Sequence, residues 1–258
     1  MLLIAIDTSG RHGSVALCRG DQNSFTTLQL TSLEGGTYSA RLMPAIAEML
    51  GQQQIAKEQL DALVVVSGPG SFTGLRVGSA TVKGLCEVLH RPLVAVTMLE
   101  AVAIARRAQA QFTTPLAEER GFSRAGSAPS RWAFAPGGNP LEAANVTVAL
   151  DAGRGEVYAG DFALEHSRAA CVREYIAKLD AFASAAASNH LTVLTPDPKV
   201  ADALTAAGAQ VQQSAPVHAD EIGRIGLAKL LAGETVNHAT LDANYIRRSD
   251  AEIFAPKH

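Results

Sequence analysis

The chain has 258 residues, 47% of them hydrophobic and 18% charged, with a formal net charge of −3. That balance excludes intrinsic disorder and leaves ample apolar surface for a core. With no basic block along the chain, strong nucleic-acid binding by this chain alone is not expected. The opening stretch "MLLIAIDTSG" carries no basic leader and reaches an aspartate after six residues. It is too short for a signal peptide or a membrane span, so the expected location is cytoplasmic, away from the membrane. Cys18, Cys86 and Cys171 are far apart and odd in number, which suits small apolar residues in a reducing compartment.

Taken in chain order, Leu2 to Asp7, Ser14 to Cys18 and Ser24 to Leu30 read as three strands joined by tight turns. Thr37 to Leu50 reads as a helix capped by Thr37, with Pro44 expected to kink it. Asp61 to Ser67 is a continuous apolar run, the pattern of a strand covered on both faces. A glycine-rich loop follows, then a helix from about Gly74 to Leu89, a buried strand from Pro92 to Thr97 and a helix from Met98 to Gln109. This order predicts a mixed sheet with helices on its faces. From Gln111 to Ala144 periodicity disappears among prolines and glycines, which predicts an insert or linker with Trp132 and Phe134 as local tethers.

The pattern then restarts. "VTVALDAGRGEVYAGDF" (Val146 to Phe162) repeats the design of "LLIAIDTSGRHGSVALC": an apolar strand ending in aspartate, a Gly-Arg turn and a second strand. Aligning Asp7 with Asp151 sets Ser9-Gly10-Arg11 beside Gly153-Arg154, which predicts a duplicated unit opening both halves. Helices are expected at Leu179 to Ser188, Val200 to Ala207 and His218 to Ala232, with a strand at Leu191 to Leu194. The expected division is residues 1–110, an insert at 111–144, and a C-terminal part at 145–258.

Asp7, Thr8, Ser9 and Gly10, with Asp151 and Gly153, are candidate phosphate or nucleotide loops, because carboxylates and turn amides at strand ends can hold a metal–phosphate pair. The competing reading is that each aspartate caps its own turn; both stay open. "SGPGSFTG" is not a Walker A loop, since only three residues separate Gly70 from Gly74 and Leu-Arg follows. It also misses the dinucleotide fingerprint, whose third glycine would come one residue earlier. Either the helix start accepts an anion there, with Ser71 and Thr73, or the glycines serve a tight turn. His12, His90, His166, His190, His218, His238 and His258 show no spacing that pairs two on one helix face, so no metal site is expected.

The two helices flanking the glycine loop carry more apolar surface than one core needs. On the first, Tyr38, Leu42, Met43, Ile46 and Met49 belong to an apolar arc of about 220°, and on the second, Gly74, Gly78, Thr81, Val82 and Leu85 belong to one of about 200°, where roughly 100° suffices to face a core. Burial by another chain and burial by the C-terminal helices of the same chain both account for the excess. These ten residues are the candidate partner interface.

Taken together, "LLIAIDTSGRHGSVAL", "YSARLMPAI", "LVVVSGPGSFTGLRVGSATVKGL", "PLVAVTMLEAVA", "ALDAGRGEVYAGDF" and "NYIRR" resemble the TsaB (YeaZ) family in order and spacing. The resemblance implies an actin-like α/β fold of the sugar kinase/Hsp70/actin class, with two duplicated subdomains of mixed sheet flanked by helices. It implies a part in placing a threonylcarbamoyl group on the anticodon-adjacent adenosine of tRNA, as a non-catalytic relative of TsaD. Implied partners are a TsaD-like catalytic subunit, a TsaE-like ATPase and a second copy of the chain, with tRNA met only through the complex. TsaD carries a His-x-x-x-His metal pair after the corresponding strand; here Met98 and Val102 hold those positions, and neither suits the expected metal. The resemblance therefore implies no catalysis by this chain alone and no strongly held cofactor, with weak ATP or ADP binding left open. The rival reading is a stand-alone ATPase or kinase of the same superfamily, with Asp7 and Asp151 at a phosphate site.

Overall fold

The computed structural model describes residues 1–112, 146–165, 168–242, 244 and 246. The expected insert, with Trp132 and Phe134, lies almost wholly outside the described residues. The chain forms two compact units: Met1–Ala101 joined by the chain from Val217 onward, and Val102–Pro216.

In the first unit, strands β1 (Leu2–Asp7), β2 (His12–Gly20) and β3 (Phe25–Glu34) precede helix α1 (Tyr38–Gln52). Strand β4 (Ala62–Gly68), helix α2 (Phe72–Leu89) and strand β5 (Leu93–Thr97) follow, and helix α3 (Met98–Phe112) begins in this unit and continues into the second. The sheet runs β3-β2-β1-β4-β5. β1 pairs antiparallel with β2 and parallel with β4. The second unit repeats this plan with β6 (Val146–Gly153), β7 (Glu156–Glu165), β8 (Arg168–Lys178), α4 (Leu179–Ser188), β9 (Thr192–Thr195), α5 (Pro198–Ala206) and β10 (Gln210–Gln213). Its sheet order, β10-β9-β6-β7-β8, is the first read from the other edge, with β6 in the place of β1. The hairpin likeness seen in sequence is thus part of a duplicated sheet, the actin-like α/β fold that the resemblance implied.

Alternation explains why β1 is buried along its whole length. Ile4 and Ile6 point into a core shared with Leu42, Ile46 and Met49 of α1 and Val82 of α2. Ala5 faces the other way, toward α6 (Ala219–Leu231). There Gly223 leaves room for Cys18 and Ala5, and Gly226 for Val64; a methyl group at either would collide with those side chains. This corrects the expected division at 145–258, since α6 returns to cover the first sheet. Burial on that face pushes the Cys18 thiol up to about 12, and it behaves as an inert apolar group.

Several local readings need adjustment. α2 starts at Phe72, two residues before Gly74, with Ser71 as cap: its hydroxyl accepts the Gly74 N–H at 3.3 Å. Thr37 makes no side-chain cap; its hydroxyl donates to the Glu34 carbonyl instead. α1 continues through Pro44 without interruption. β8, β10 and a 3-10 turn at Lys57–Gln59 have no counterpart in the sequence reading.

Candidate functional site

The glycine loop and the β1–β2 turn are built around each other. Thr8 Oγ1 donates to the Gly74 carbonyl at 2.8 Å, and the Ser71 N–H donates to the Ser9 carbonyl at 2.6 Å. A Cβ at Gly70 would collide with the Ser9 carbonyl, at Gly74 with the Thr8 carbonyl, and at Gly78 with Thr8 Oγ1. The space that an anion would need in front of these glycines holds the chain's own turn. Tyr38 closes the far side: its hydroxyl donates to the Gly10 carbonyl at 2.8 Å and lies against Gly13. Burial, with the Asp7 charge adding to it, raises the Tyr38 hydroxyl to about 12, so it stays a neutral donor.

Asp7 ends β1 only 3% exposed. One carboxylate oxygen accepts both the Ser9 N–H (2.8 Å) and the Ser9 hydroxyl (2.7 Å). In the second unit, Asp151 Oδ1 accepts the Gly153 N–H at 2.9 Å. Both aspartates therefore cap their own turns two residues on, the bonding that the turn-cap reading expected. They differ in surroundings. Asp151 is exposed, faces Lys199 Nζ at 3.4 Å, and its own amide donates to Asp197. Gly153, Arg154 and Gly155 all have positive φ, as a tight hairpin turn requires.

The ten candidate interface residues divide sharply. Tyr38, Leu42, Ile46, Met49, Gly74, Gly78 and Val82 are buried within the chain itself, and their predicted place at a free surface is corrected. Met43 is 46% exposed, and Thr81 and Leu85 are half-buried. What the helices leave outward is a different set. On α1 its uncharged part is Ala40, Met43, Pro44, Ala47 and Gly51, with exposed Arg41 and Glu48 at its border; on α2 it is Thr73, Ala80, Gly84 and Val88, with Val77 and Thr81 half-buried beside them. Each set spans an uncharged arc of about 100° at 100° per residue. Val88 is the most exposed of the large apolar side chains described, at 67%. Arg76, Lys83 and Glu87 lie together on the next sector of α2, with the Arg76 guanidinium stacked 3.9 Å from the Phe72 ring. The sequence arithmetic could not tell which part of each arc its own sheet would take.

The family model for TsaD, tRNA N6-adenosine threonylcarbamoyltransferase, matches residues 35–117. The tRNA threonylcarbamoyladenosine biosynthesis protein TsaB of Haemophilus influenzae is 36% identical over 104 residues, 40% of this chain and 42% of that protein. TsaB of Bacillus subtilis is 38% identical over 103 residues, 40% of this chain and 44% of that protein. YeaZ from Pseudomonas aeruginosa shares the fold, with a TM-score of 0.66 at 22% identity, over 95% of this chain and all of that one. The chain is similar in sequence to TsaB proteins over 40% of its length and shares the fold of YeaZ. The sequence match spans less than half the length of the two TsaB relatives.

Met98 opens α3 directly after β5, and Val102 lies one turn along it, fully buried. Among the described residues no three His, Cys, Asp or Glu side chains gather as a metal site, and no helix is long and apolar enough to cross a membrane.

The buried Asp7 gives the first prediction. Desolvation raises its pKa above the ordinary carboxylate value, against the Ser9 hydrogen bonds and the His218 charge, which lower it. Between the unfolded and the raised folded pKa the native state binds more protons, so stability grows as pH falls through the folded value. At neutral pH the ionised group therefore costs stability. Asp7→Asn keeps an oxygen to accept both Ser9 bonds and removes the charge. Thermal denaturation should show a higher Tm than wild type at pH 7, with the gap closing toward pH 4. A lower Tm at pH 7 would mean that the charge itself holds the turn.

Proposed function

We propose that this chain is an accessory subunit of the machinery that makes threonylcarbamoyladenosine in tRNA. Its role is to dock on a TsaD-like transferase through the outward faces of α1 and α2. The supporting observation is that uncharged surface, Met43 to Val88, on a chain whose relatives are named for this biosynthesis. The exposed Met43 and Val88 side chains suit contact with a partner surface. A TsaE-like ATPase joins the assembled pair, and in isolation two copies meet through the same faces. tRNA is met only through the complex.

The reading gives the chain no strongly held cofactor, with ATP or ADP bound weakly if bound. The packing of Thr8 and Ser9 into the glycine loop supports this, as do Met98 and Val102 in place of the transferase's histidines. The test is reconstituted tRNA modification with and without the chain, using the transferase and ATPase of the same organism. Omission should lower product formation at least about tenfold, a loss equivalent to roughly 1.4 kcal/mol in the barrier. Equal product without the chain would overturn the proposal. ATP turnover by the purified chain at about 1 s⁻¹, inside the usual enzyme range, would favour the stand-alone ATPase using Asp7 and Asp151.

A further inference from the structure

The two edges of the first sheet are finished differently. At one edge, β5 is bridged by Val236, whose N–H donates to the Leu93 carbonyl at 2.8 Å. At the other edge lies β3, ten residues long, and from Gln22 to Leu33 the chain carries no charged residue and no proline. Long uncharged edges invite pairing, and proteins usually guard them with lysine, proline or a covering segment. The direction of the backbone groups on β3 follows from its register. The Gly35 N–H donates to the Arg11 carbonyl. Leu33 opposite Gly13 and Thr31 opposite Val15 continue that phase two residues at a time. Thr31 and Leu33 therefore turn their backbone groups toward β2, while Leu30, Ser32 and Glu34 turn theirs to the free edge. Thr37 donates its N–H and its hydroxyl to the Glu34 carbonyl, and among the described residues no other group bonds to the backbone of that edge. A bulge leaves Leu28 without an opposite residue in β2, so the regular edge runs from Gln29 to Glu34. Leu30 is 40% exposed on it.

We infer that a second copy of the chain pairs antiparallel with this edge, β3 against β3, about a two-fold axis at Thr31. The contact is separate from the outward faces of α1 and α2 and does not rest on the docking reading above. A row of backbone donors and acceptors is satisfied only by another extended strand, and the copy supplies one of matching phase. Leu30 and Ser32 exchange both backbone bonds with Ser32 and Leu30 of the copy. The one charged residue of the strand, Glu34, falls opposite Leu28, so no like charges meet. The two exposed Leu30 side chains come within diagonal reach of each other. Selection of an unlike strand would call for complementary charge, and this edge offers none between Gln22 and Leu33. The pairing uses the same patch on both copies, so it closes at a dimer.

The test is made in the Val88→Arg chain, which carries a charge on the α2 face and so isolates the strand contact. Sedimentation equilibrium should show a monomer–dimer equilibrium with a Kd of roughly 100 µM, as suits an interface at the small end of the range. Adding Ser32→Pro should weaken it at least about tenfold. The Ser32 N–H faces the edge, so proline removes a donor from the contact and none from the ladder with β2. Adding Leu30→Lys instead should weaken the dimer by a similar factor, because it brings two like charges together. Leu30→Lys decides the matter if the proline variant does not fold. Thr31→Cys places two thiols across the axis in a non-hydrogen-bonded pair, with Cα atoms about 4.5 Å apart, inside disulfide reach. Mild oxidation should cross-link it at least about tenfold faster than Thr26→Cys, which faces no copy of itself. A Val88→Arg chain that stays monomeric at about 1 mM, ten times the expected Kd, would overturn the inference. So would a dimer that Leu30→Lys leaves unweakened, or one that Thr31→Cys locks no faster than Thr26→Cys.

Discussion

Gly78→Leu should destabilise the free chain by roughly 2–4 kcal/mol. Overpacking a filled site costs about 1–3 kcal/mol, and the lost hydrogen bond adds about 1 kcal/mol. The physical cause is local. The new Cβ would strike Thr8 Oγ1, the atom that donates to the Gly74 carbonyl. Displacing Thr8 breaks that bond and pushes on Ser9, whose carbonyl receives the Ser71 N–H. The β1–β2 turn and the start of α2 lose their lock together. Against a total stability of about 5–15 kcal/mol, the substitution should lower Tm by roughly 5–15 °C. Gly84→Leu, on the same helix but with open space at its Cβ, should fold with a Tm near or above that of wild type. Thermal melts of the two variants side by side separate glycines that serve the fold from one that faces outward. A Gly78→Leu protein with the wild-type Tm would show that Thr8 yields freely and that the loop is not held by this packing.

The contrast between Gly78 and Gly84 also marks how far the sequence can be read. Both look alike as helical glycines in an over-apolar arc. What separates them is Thr8, which lies 70 residues or more away along the chain and reaches α2 only because β1 and β4 pair in parallel. The strands that sequence reveals are those buried on both faces: β1, β4 and β5 each show a continuous apolar run. β8 and β10 are edge strands of the second sheet. Their outward edges need no apolar run, and "QVQQ" or "VREYIAK" carries polar side chains that hide the strand period. The return of α6 to the first sheet was hidden for another reason. Nothing in an amphipathic helix names the sheet it will cover, and the close seats at Gly223 and Gly226 become visible only against Cys18, Ala5 and Val64. The aspartate turns were the reverse case. Their turn-capping bonds were readable from spacing, and Asp7 and Asp151 both make them, to Ser9 and Gly153.

Val88→Arg should leave the fold intact and weaken docking on the TsaD-like transferase by about a hundredfold or more. Val88 is 67% exposed near the end of α2, and exposed substitutions away from caps and cores usually change stability by less than about 0.5 kcal/mol. Arginine is also the better helix former. In the proposed complex the same side chain would be covered by an apolar partner surface. A guanidinium there must either give up its hydration without a partner or hold the two surfaces apart, at a cost of several kcal/mol. A loss of about 2.8 kcal/mol already corresponds to a hundredfold in Kd. Lys83→Glu is the matched control, since Lys83 lies in the charged sector of the same helix, and a rim charge should alter mainly the salt dependence and the association rate. Calorimetric titration and tRNA modification assays should agree, with Val88→Arg activity partly restored at high subunit concentration because only the encounter is impaired. Self-association of the free chain, followed by light scattering, should fall with the same substitution, as one face serves both partners. Wild-type affinity for the transferase in the Val88→Arg protein would remove the α1–α2 surface from the interface, whatever role the chain retains in tRNA modification.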